Sequence, residues 1–463
     1  MTIASPPVAE KLFLSAYVLL LPLAFRYALG ALRPDARDLW PLILPFVYNH
    51  FLHLGFYNLA FAAVPFFLVL GFWIRRRGRL GARETAGLAL LLLFLYFCHL
   101  VTLLLAVGAL GLLASWLSLR EVARGDGWRG PAARILALAG AVLPVVLLVL
   151  RFLAGQRTER SDEGPTLGER WADLWRLQEL ASHDPRELWL TGALGVFLLL
   201  AALGLLVKKV RARSWSEGDG ILLVAVATAV VYFLAPVTVL NTPGSTPGGG
   251  TTHDRVSLYV FFALLLWVAV QDLGAAARRA LVVASAAAAV GLLAVRLPRY
   301  AEMNAHLAEY LSPADRLTPH ATLLPVSFAH QGHRPDGSPV SWRVEAFLHG
   351  GAYLAAKRGL VDFTNYEADL GYFPTLFRHD ANPYRWLRGG QELQTPCLDF
   401  SRYDRRGPRP LDFVLVWAAV HADRKDPCAA AIFEHLERRY ELVYTSAPRG
   451  LAQLYRRREE EMD

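Results

Sequence analysis

The pattern of apolar and polar positions changes character near residue 298. Before it, long apolar runs are separated by short clusters of Arg and Lys; after it, short apolar stretches alternate with polar ones. A helix needs about 20 residues to cross roughly 30 Å of hydrocarbon. Runs that qualify lie near 11–31, 53–74, 84–99, 102–119, 131–153, 188–208, 218–238, 255–272 and 278–296. The adjoining runs 84–99 and 102–119 are together too long for one span, so a tight hairpin turning at His99 is expected. Residues 1–10 are too polar for the apolar part of a signal peptide, and 11–31 is read as a retained span. The pattern thus predicts an α-helical polytopic membrane domain over 1–297, of about nine transmembrane helices.

Beyond 298 the pattern shortens. Ala321–Phe328, Leu411–Trp417, Tyr440–Ser446 and Leu451–Arg456 are rich in Val, Leu, Tyr and Phe and read as strands. Glu345–Lys357 and Cys428–Arg438 carry apolar residues at helical spacing. Alternation of this kind predicts a C-terminal α/β domain over 298–463. Between the fifth and sixth spans, Trp171, Leu174, Trp175, Leu177 and Leu180 recur at helical spacing among charged residues. They predict an amphipathic helix, lying on the membrane surface or serving as a connector packed on the soluble domain.

Charge supplies the orientation. Residues 1–297 hold 27 Lys+Arg against 18 Asp+Glu, whereas 298–463 hold 21 against 22, so the net +8 belongs to the apolar part. Arg75, Arg76, Arg77, Arg79 and Arg83 follow the second run, and Arg120, Arg124, Arg129 and Arg134 the fourth. Lys208, Lys209, Arg211 and Arg213 follow the sixth, and Arg278 and Arg279 lie between the eighth and ninth. Positive charge marks cytoplasmic loops. The expected topology therefore has the N-terminus in the cytoplasm and the C-terminal domain outside. With only five Lys among 48 basic residues, and many Ala, Leu and Gly, the composition suits a GC-rich bacterial genome and a place in the bacterial plasma membrane. Basic residues scattered between apolar runs exclude a nucleic-acid partner. At 54% hydrophobic and 19% charged, with mean hydropathy +0.31, the chain is no soluble enzyme, disordered chain or disulfide scaffold.

No Walker loop, dinucleotide fingerprint, CxxC pair, HExxH or GxSxG occurs, so candidate chemistry rests on ionisable groups gathered at one face. The first set is Asn49, His50, His53, Tyr57 and Asn58 at the start of the second span, expected to form one polar stripe if helical. Headgroup contact is the alternative reading for these side chains. The second is His99, as a ligand-binding or a turn residue. The third is His253-Asp254-Arg255, which ends a Gly-rich loop: an Asp beside a His can act as a base, and an Arg can grip a phosphate with two hydrogen bonds. A cap by Asp and a snorkelling Arg would explain the same residues. The fourth is Arg26, Arg151 and Arg296, expected at the outer ends of three spans, where they either snorkel or ring a lipid phosphate. Two His three apart on a helix can hold a divalent ion, but no third ligand accompanies them and no metal or other cofactor is predicted. Cys397 and Cys428 fall in the domain expected on the oxidising side; a disulfide is expected there, with two buried thiols as the alternative. Cys98 lies in a span and is read as packing.

With the run Pro45-Phe-Val-Tyr-Asn-His-Phe-Leu-His-Leu-Gly-Phe-Tyr-Asn58, the His99 turn, the loop ending at Arg255 and a terminal pattern built from Asp412-Phe-Val-Leu-Val-Trp417, Tyr440-Glu-Leu-Val-Tyr444 and Leu451-Ala-Gln-Leu-Tyr-Arg-Arg457, the chain resembles the bacterial GT-C class of membrane glycosyltransferases. The resemblance implies a polyprenyl-phosphate-linked sugar donor, a cell-envelope acceptor and membrane lipids as partners. It also implies a catalytic acid in the first outer loop, where this chain offers only Asp35 and Asp38. Either one of these is the base, or Asp254 is, or the chain lacks an N-terminal first span and catalytic loop. Arg255 and the other Arg residues would then hold the lipid phosphate, while His50, His53 and His253 position the donor or acceptor. A transporter or flippase of envelope lipids, or a non-catalytic scaffold with a wall-binding domain, stands as the alternative.

Overall fold

The computed structural model describes residues 5–154, 164–236, 252–369, 375–387 and 397–458. By their contacts these fall into two units, one up to Val295 and one from Arg296 onward. The first holds the helices α1 (Pro6–Leu32), α2 (Leu44–Val47), α3 (His50–His53), α4 (Tyr57–Arg76), α5 (Ala82–Cys98) and α6 (Leu100–Arg124). It continues through α7 (Arg129–Ala154), α8 (Leu167–Trp175), α9 (Glu187–Ala212), α10 (Gly220–Leu234), α11 (Thr252–Ala269) and the start of α12 (Ala275–Leu311). Among the described residues eight helices are long and apolar enough to cross a membrane, the mark of a multi-pass membrane protein. The 17-residue α5 makes the ninth expected run, and the hairpin turns at His99, whose extended backbone ends α5 and whose side chain accepts the Thr102 N–H to cap α6.

Which helices lie inside follows from burial. The most apolar windows of α4 and α11 are 72% and 83% buried, whereas that of α7 is only 17% buried. So α4 and α11 form the centre, and α7 presents Leu136, Leu143, Leu147 and Leu150 outward, as a lipid-facing helix should. Aromatic side chains fill the centre: Phe46, Phe67 and Tyr259 pack around Phe262 at ring-centroid distances of 5.2–5.7 Å.

One crossing was not legible as an apolar run. Helices α1 and α4 run parallel, since Phe13 meets Tyr57 near their starts, Phe25 meets Phe67, and Arg75 lies over Tyr27 near their ends. Parallel neighbours need a return between them. Here it is a 3-10 helix (Pro34–Ile43) followed by α2. Three prolines deny this segment regular α-helical bonding, and its Arg and Asp residues break the apolar run. It nevertheless buries Ala36, Leu39, Leu42, Ile43 and Phe46. The consequence corrects the expected placement of the first loop. Arg33 donates to the carbonyls of Val270 and Gln271, and Arg278 pairs with Asp35. Asp35 and Asp38 therefore stand at the arginine-rich end, with Arg77 paired to Glu217 and Arg134 to Glu121. Glu10 near the chain's start accepts the Tyr57 hydroxyl proton at 2.6 Å, at the opposite, histidine-bearing end. The N-terminal helix thus begins away from the arginines rather than beside them.

The second unit begins with the tail of α12 and adds β1 (Thr322–Ser327), α13 (Gly351–Arg358), β2 (Val361–Asp362), α14 (Pro383–Leu387), α15 (Phe400–Arg406), β3 (Phe413–Trp417), α16 (Pro427–Arg439), β4 (Tyr440–Thr445) and β5 (Ala452–Arg457). The sheet order is β2-β1-β3-β5-β4, with β2, β1 and β3 parallel and the β5 pairings antiparallel. The period of two along β3 sends Val414 and Val416 to one face, with α15 and α16, and Phe413, Leu415 and Trp417 to the other, with Tyr310 of α12 and Leu354 of α13. All four expected strands are present and β2 is added. The expected helix Glu345–Lys357 starts only at Gly351. The Tyr310 ring packs against Gly350, where a Cβ would come within 2.9 Å of it, and Phe347 is buried in the loop. The tail of α12 is held by charge: Glu302 takes two bonds from Arg334, and the buried Glu309 accepts from Ser446, Arg449 and Leu451. Cys397 and Cys428 are disulfide-bonded, and Cys98 is free and half-buried.

Two predictions follow from this architecture. In a Cys98→Ala background, single cysteines replacing Val8 and Leu167 are expected to react with a membrane-impermeant maleimide from the same side, and one replacing Arg213 from the other. Labelling of Val8→Cys together with Arg213→Cys would overturn the return crossing. In the second unit, burial holds His330, His421 and His435 below the ordinary histidine value. An unfolded chain then binds more protons below about pH 6.5, so their contribution is complete above that pH and is lost as the pH falls through the window beneath it. Hydrogen-exchange protection of the β1 and β3 amides should drop between pH 7.5 and 5.5, by at most about 1.4 kcal/mol per histidine per pH unit; protection that stays constant or rises would contradict it.

Candidate functional site

The polar groups of the first unit converge at its histidine-bearing end. Asn49 caps the one-turn helix α3: its side chain accepts the Leu52 N–H and donates to Tyr17, which in turn donates to the Val47 carbonyl. This fixes His50 and His53 at the top of the return segment. Gly55, with φ +81°, then turns the chain into α4, a conformation that a side chain would strain. The turn breaks the expected stripe. His50 is buried and His53 half-buried, but Asn58 begins a separate helix and is exposed.

The partner of His53 comes from the stretch just after the expected amphipathic helix. Helix α8 starts with a reciprocal cap between Thr166 and Glu169, exposes Trp171 and buries Leu174. Here the amphipathic expectation holds for one helix only, because Leu177 adopts φ +50° and the chain dives inward. Arg170, although charged, is buried and donates to the carbonyls of Tyr232, Phe233 and Ala235, closing the end of α10. The following residues Ser182, His183 and Asp184 are all buried. Their three backbone N–H groups point at the Glu187 carboxylate, at 3.1, 2.9 and 2.9 Å. So held, Ser182 bonds His53 Nδ1 at 2.9 Å and the His183 ring lies 4.5 Å from that of His53. Asp184 forms a bidentate pair with Arg186, whose guanidinium it holds above its ordinary value.

The third set opens α11 at the same end. His253 is buried, and its Nε2 meets Asp254 Oδ1 at 3.0 Å; Asp254 keeps 23% of its side chain exposed. Arg255 lies over the Phe56 ring at 5.2 Å, next to the turn that follows α3. His99 belongs to this end too, bonded to Thr102, which in turn bonds Tyr259. Tyr57 is tied to Glu10. The site therefore gathers Asn49, His50, His53, Tyr57, His99, His253, Asp254 and Arg255, and adds Ser182, His183, Asp184 and Glu187. Sequence reading missed the added residues because Ser-His-Asp-Pro-Arg-Glu looks like any solvated loop; the density of six polar or turn residues directly before an apolar span was the available signal.

Other candidates stand elsewhere. Asp35 and Asp38 are at the opposite end of the unit, and Arg26 is exposed close to that end on α1. Arg151, exposed on the last turn of α7, is at the outer end expected of it, since α7 starts at the arginine-rich end with Arg134, but it forms no ion pair among the described residues. Arg296 is buried and groups with the second unit. The Gly-rich loop before Thr252 lies outside the described residues. Among the described residues no group of three His, Cys, Asp or Glu side chains could hold a metal ion. No protein-family model matches the chain, and neither a curated protein nor a solved structure matches it.

The Glu187 contact makes a testable demand. Glu187→Ala leaves three buried N–H donors without their acceptor and is expected to cost about 3 kcal/mol or more. Glu187→Gln keeps one acceptor oxygen and should cost less. Thermal unfolding in detergent reads the difference; equal melting of wild type and Glu187→Ala would show that the carboxylate does not hold the turn.

Proposed function

We propose that the histidine-bearing end of the first unit binds a polyprenyl-phosphate-linked sugar and transfers the sugar to a cell-envelope acceptor. One observation carries the reading: the accessible Asp254 carboxylate is paired to His253 and followed by Arg255, beside the turn that presents His53. Of the three aspartates weighed as base, only Asp254 stands at this end. In the proposed step the acceptor hydroxyl gives its proton to Asp254 as its oxygen bonds the anomeric carbon, inverting it. The bond from that carbon to the lipid phosphate breaks, and the phosphate leaves with its negative charge facing Arg255. His253 orients the carboxylate, and the His53–Ser182–His183 group shapes the sugar-facing wall.

The arginine-rich opposite end supports an extracytoplasmic position for the site, since positive charge stays in the cytoplasm. On that reading the N-terminal helix also begins outside. The exposed leucines of α7 offer the kind of surface along which a polyprenyl chain can lie. A second reading, movement of a lipid-linked intermediate across the membrane, is favoured by the proline-broken return over 34–47, because discontinuous segments recur in transporters.

Transfer from a synthetic polyprenyl-phosphate sugar in proteoliposomes tests the proposal. Asp254→Asn is expected to lower kcat about 100-fold or more, and Arg255→Ala to impair both kcat and KM. Asp35→Asn with Asp38→Asn should leave transfer unchanged. Transfer that survives both Asp254→Asn and Arg255→Ala overturns it, and movement of labelled lipid without sugar transfer decides for the transporter.

A further inference from the structure

The second unit carries a group of histidines that the proposed transfer does not use. In an open sheet with parallel strands, ligands gather beyond the carboxyl ends of the strands, where successive connections leave in opposite directions. Here the chain passes from β1 through α13 to β2 on one side, then returns to β3 on the other. The loops leaving β1 and β3 thus border that point. The β1 loop supplies His333; the turn after β3 begins at Ala418, with φ +60°, and supplies His421.

The two rings meet edge to face, with centroids 5.0 Å apart and planes at 78°. Both side chains are partly exposed, so solutes reach them. An ion about 2.0–2.1 Å from one nitrogen of each of two imidazoles, at a tetrahedral angle, keeps the ring centroids about 5 Å apart. The observed spacing needs little adjustment to meet that condition. Each loop is also pinned. Val340 and Ser341 close the β1 loop onto Gly332 and Gln331, and His421 donates its N–H to the Ala418 carbonyl. Among the described residues no third His, Cys, Asp or Glu completes the set. Water would fill the remaining positions, which makes the site weak and exchangeable rather than structural.

We propose that His333 and His421 form a two-imidazole site for a divalent transition cation of the zinc–copper–nickel group at the carboxyl edge of the sheet. The site is independent of the proposed transfer reaction and of the first unit's histidines.

Titration of the full-length, tag-free protein in detergent with Zn²⁺, followed by calorimetry, tests it. One saturable equivalent is expected. His333→Ala and His421→Ala should each weaken it by at least about tenfold, as loss of one of two protein ligands requires. His53→Ala and His183→Ala should leave it intact. Cu²⁺ loaded at one equivalent should show hyperfine coupling to two nitrogens by electron paramagnetic resonance, reduced to one in either variant. His421→Asn, which keeps a polar side chain of similar size, provides the same comparison if the alanine variant unfolds. Absence of saturable binding, or binding unaltered by substitution at both positions, overturns the proposal and leaves the pair as edge-to-face packing. Binding lost on replacing His53 or His183 would place the cation in the first unit and overturn it equally.

Discussion

The arrangement at the histidine-bearing end depends on one buried carboxylate. Glu187 takes the N–H groups of three successive residues, Ser182, His183 and Asp184, that would otherwise be buried without partners. Buried N–H groups have no water to satisfy them, so an irregular buried segment survives only where protein supplies the acceptors. By gathering those three donors, Glu187 turns a polar loop into a fixed wall and aims Ser182 at His53. The same requirement explains Arg170, whose charge is spent on the open carbonyls at the end of α10. Two side chains, Glu187 and Arg170, thus act as backbone partners.

The return over 34–47 follows the same logic with different materials. Its prolines prevent a regular helix, yet its 3-10 bonds and its packing on α1 and α11 let it return from the end of α1 to the start of the parallel helix α4. Because it crosses, each element after it lies at the end that the arginine clusters indicate, whereas the N-terminal helix does not. Counting apolar runs and counting charges agreed with each other while both missed this segment. The error was shared, since each method sees only regular helices and their loops.

The second unit was more legible. β1 and β3, buried along their whole length, are short continuous apolar runs, and β1, β3, β4 and β5 lie within one or two residues of the stretches rich in Val, Leu, Tyr and Phe. The helix before β2 was misread for a reason that local spacing does not contain. Tyr310, from a different element, occupies the space in front of Gly350, and Phe347 is needed in the core ahead of it. The two-residue β2 carries too few residues to leave a pattern at all.

What the sequence by itself determined was set by local physics: the number and place of long apolar helices, the hairpin at His99 and the four main strands. Apolar length and alternation act within a few residues, so they are written in order along the chain. Tertiary structure alone decided which polar residues meet. His53 finds Ser182 across 129 positions, and Asp35 finds Arg278 across 243. No local rule carries such pairs. They arise because buried polar groups must find partners wherever the packing of α4 and α11 brings the chain together, and that packing separates Asp35 from Asp254 while drawing Asp254, His53 and His183 to one end.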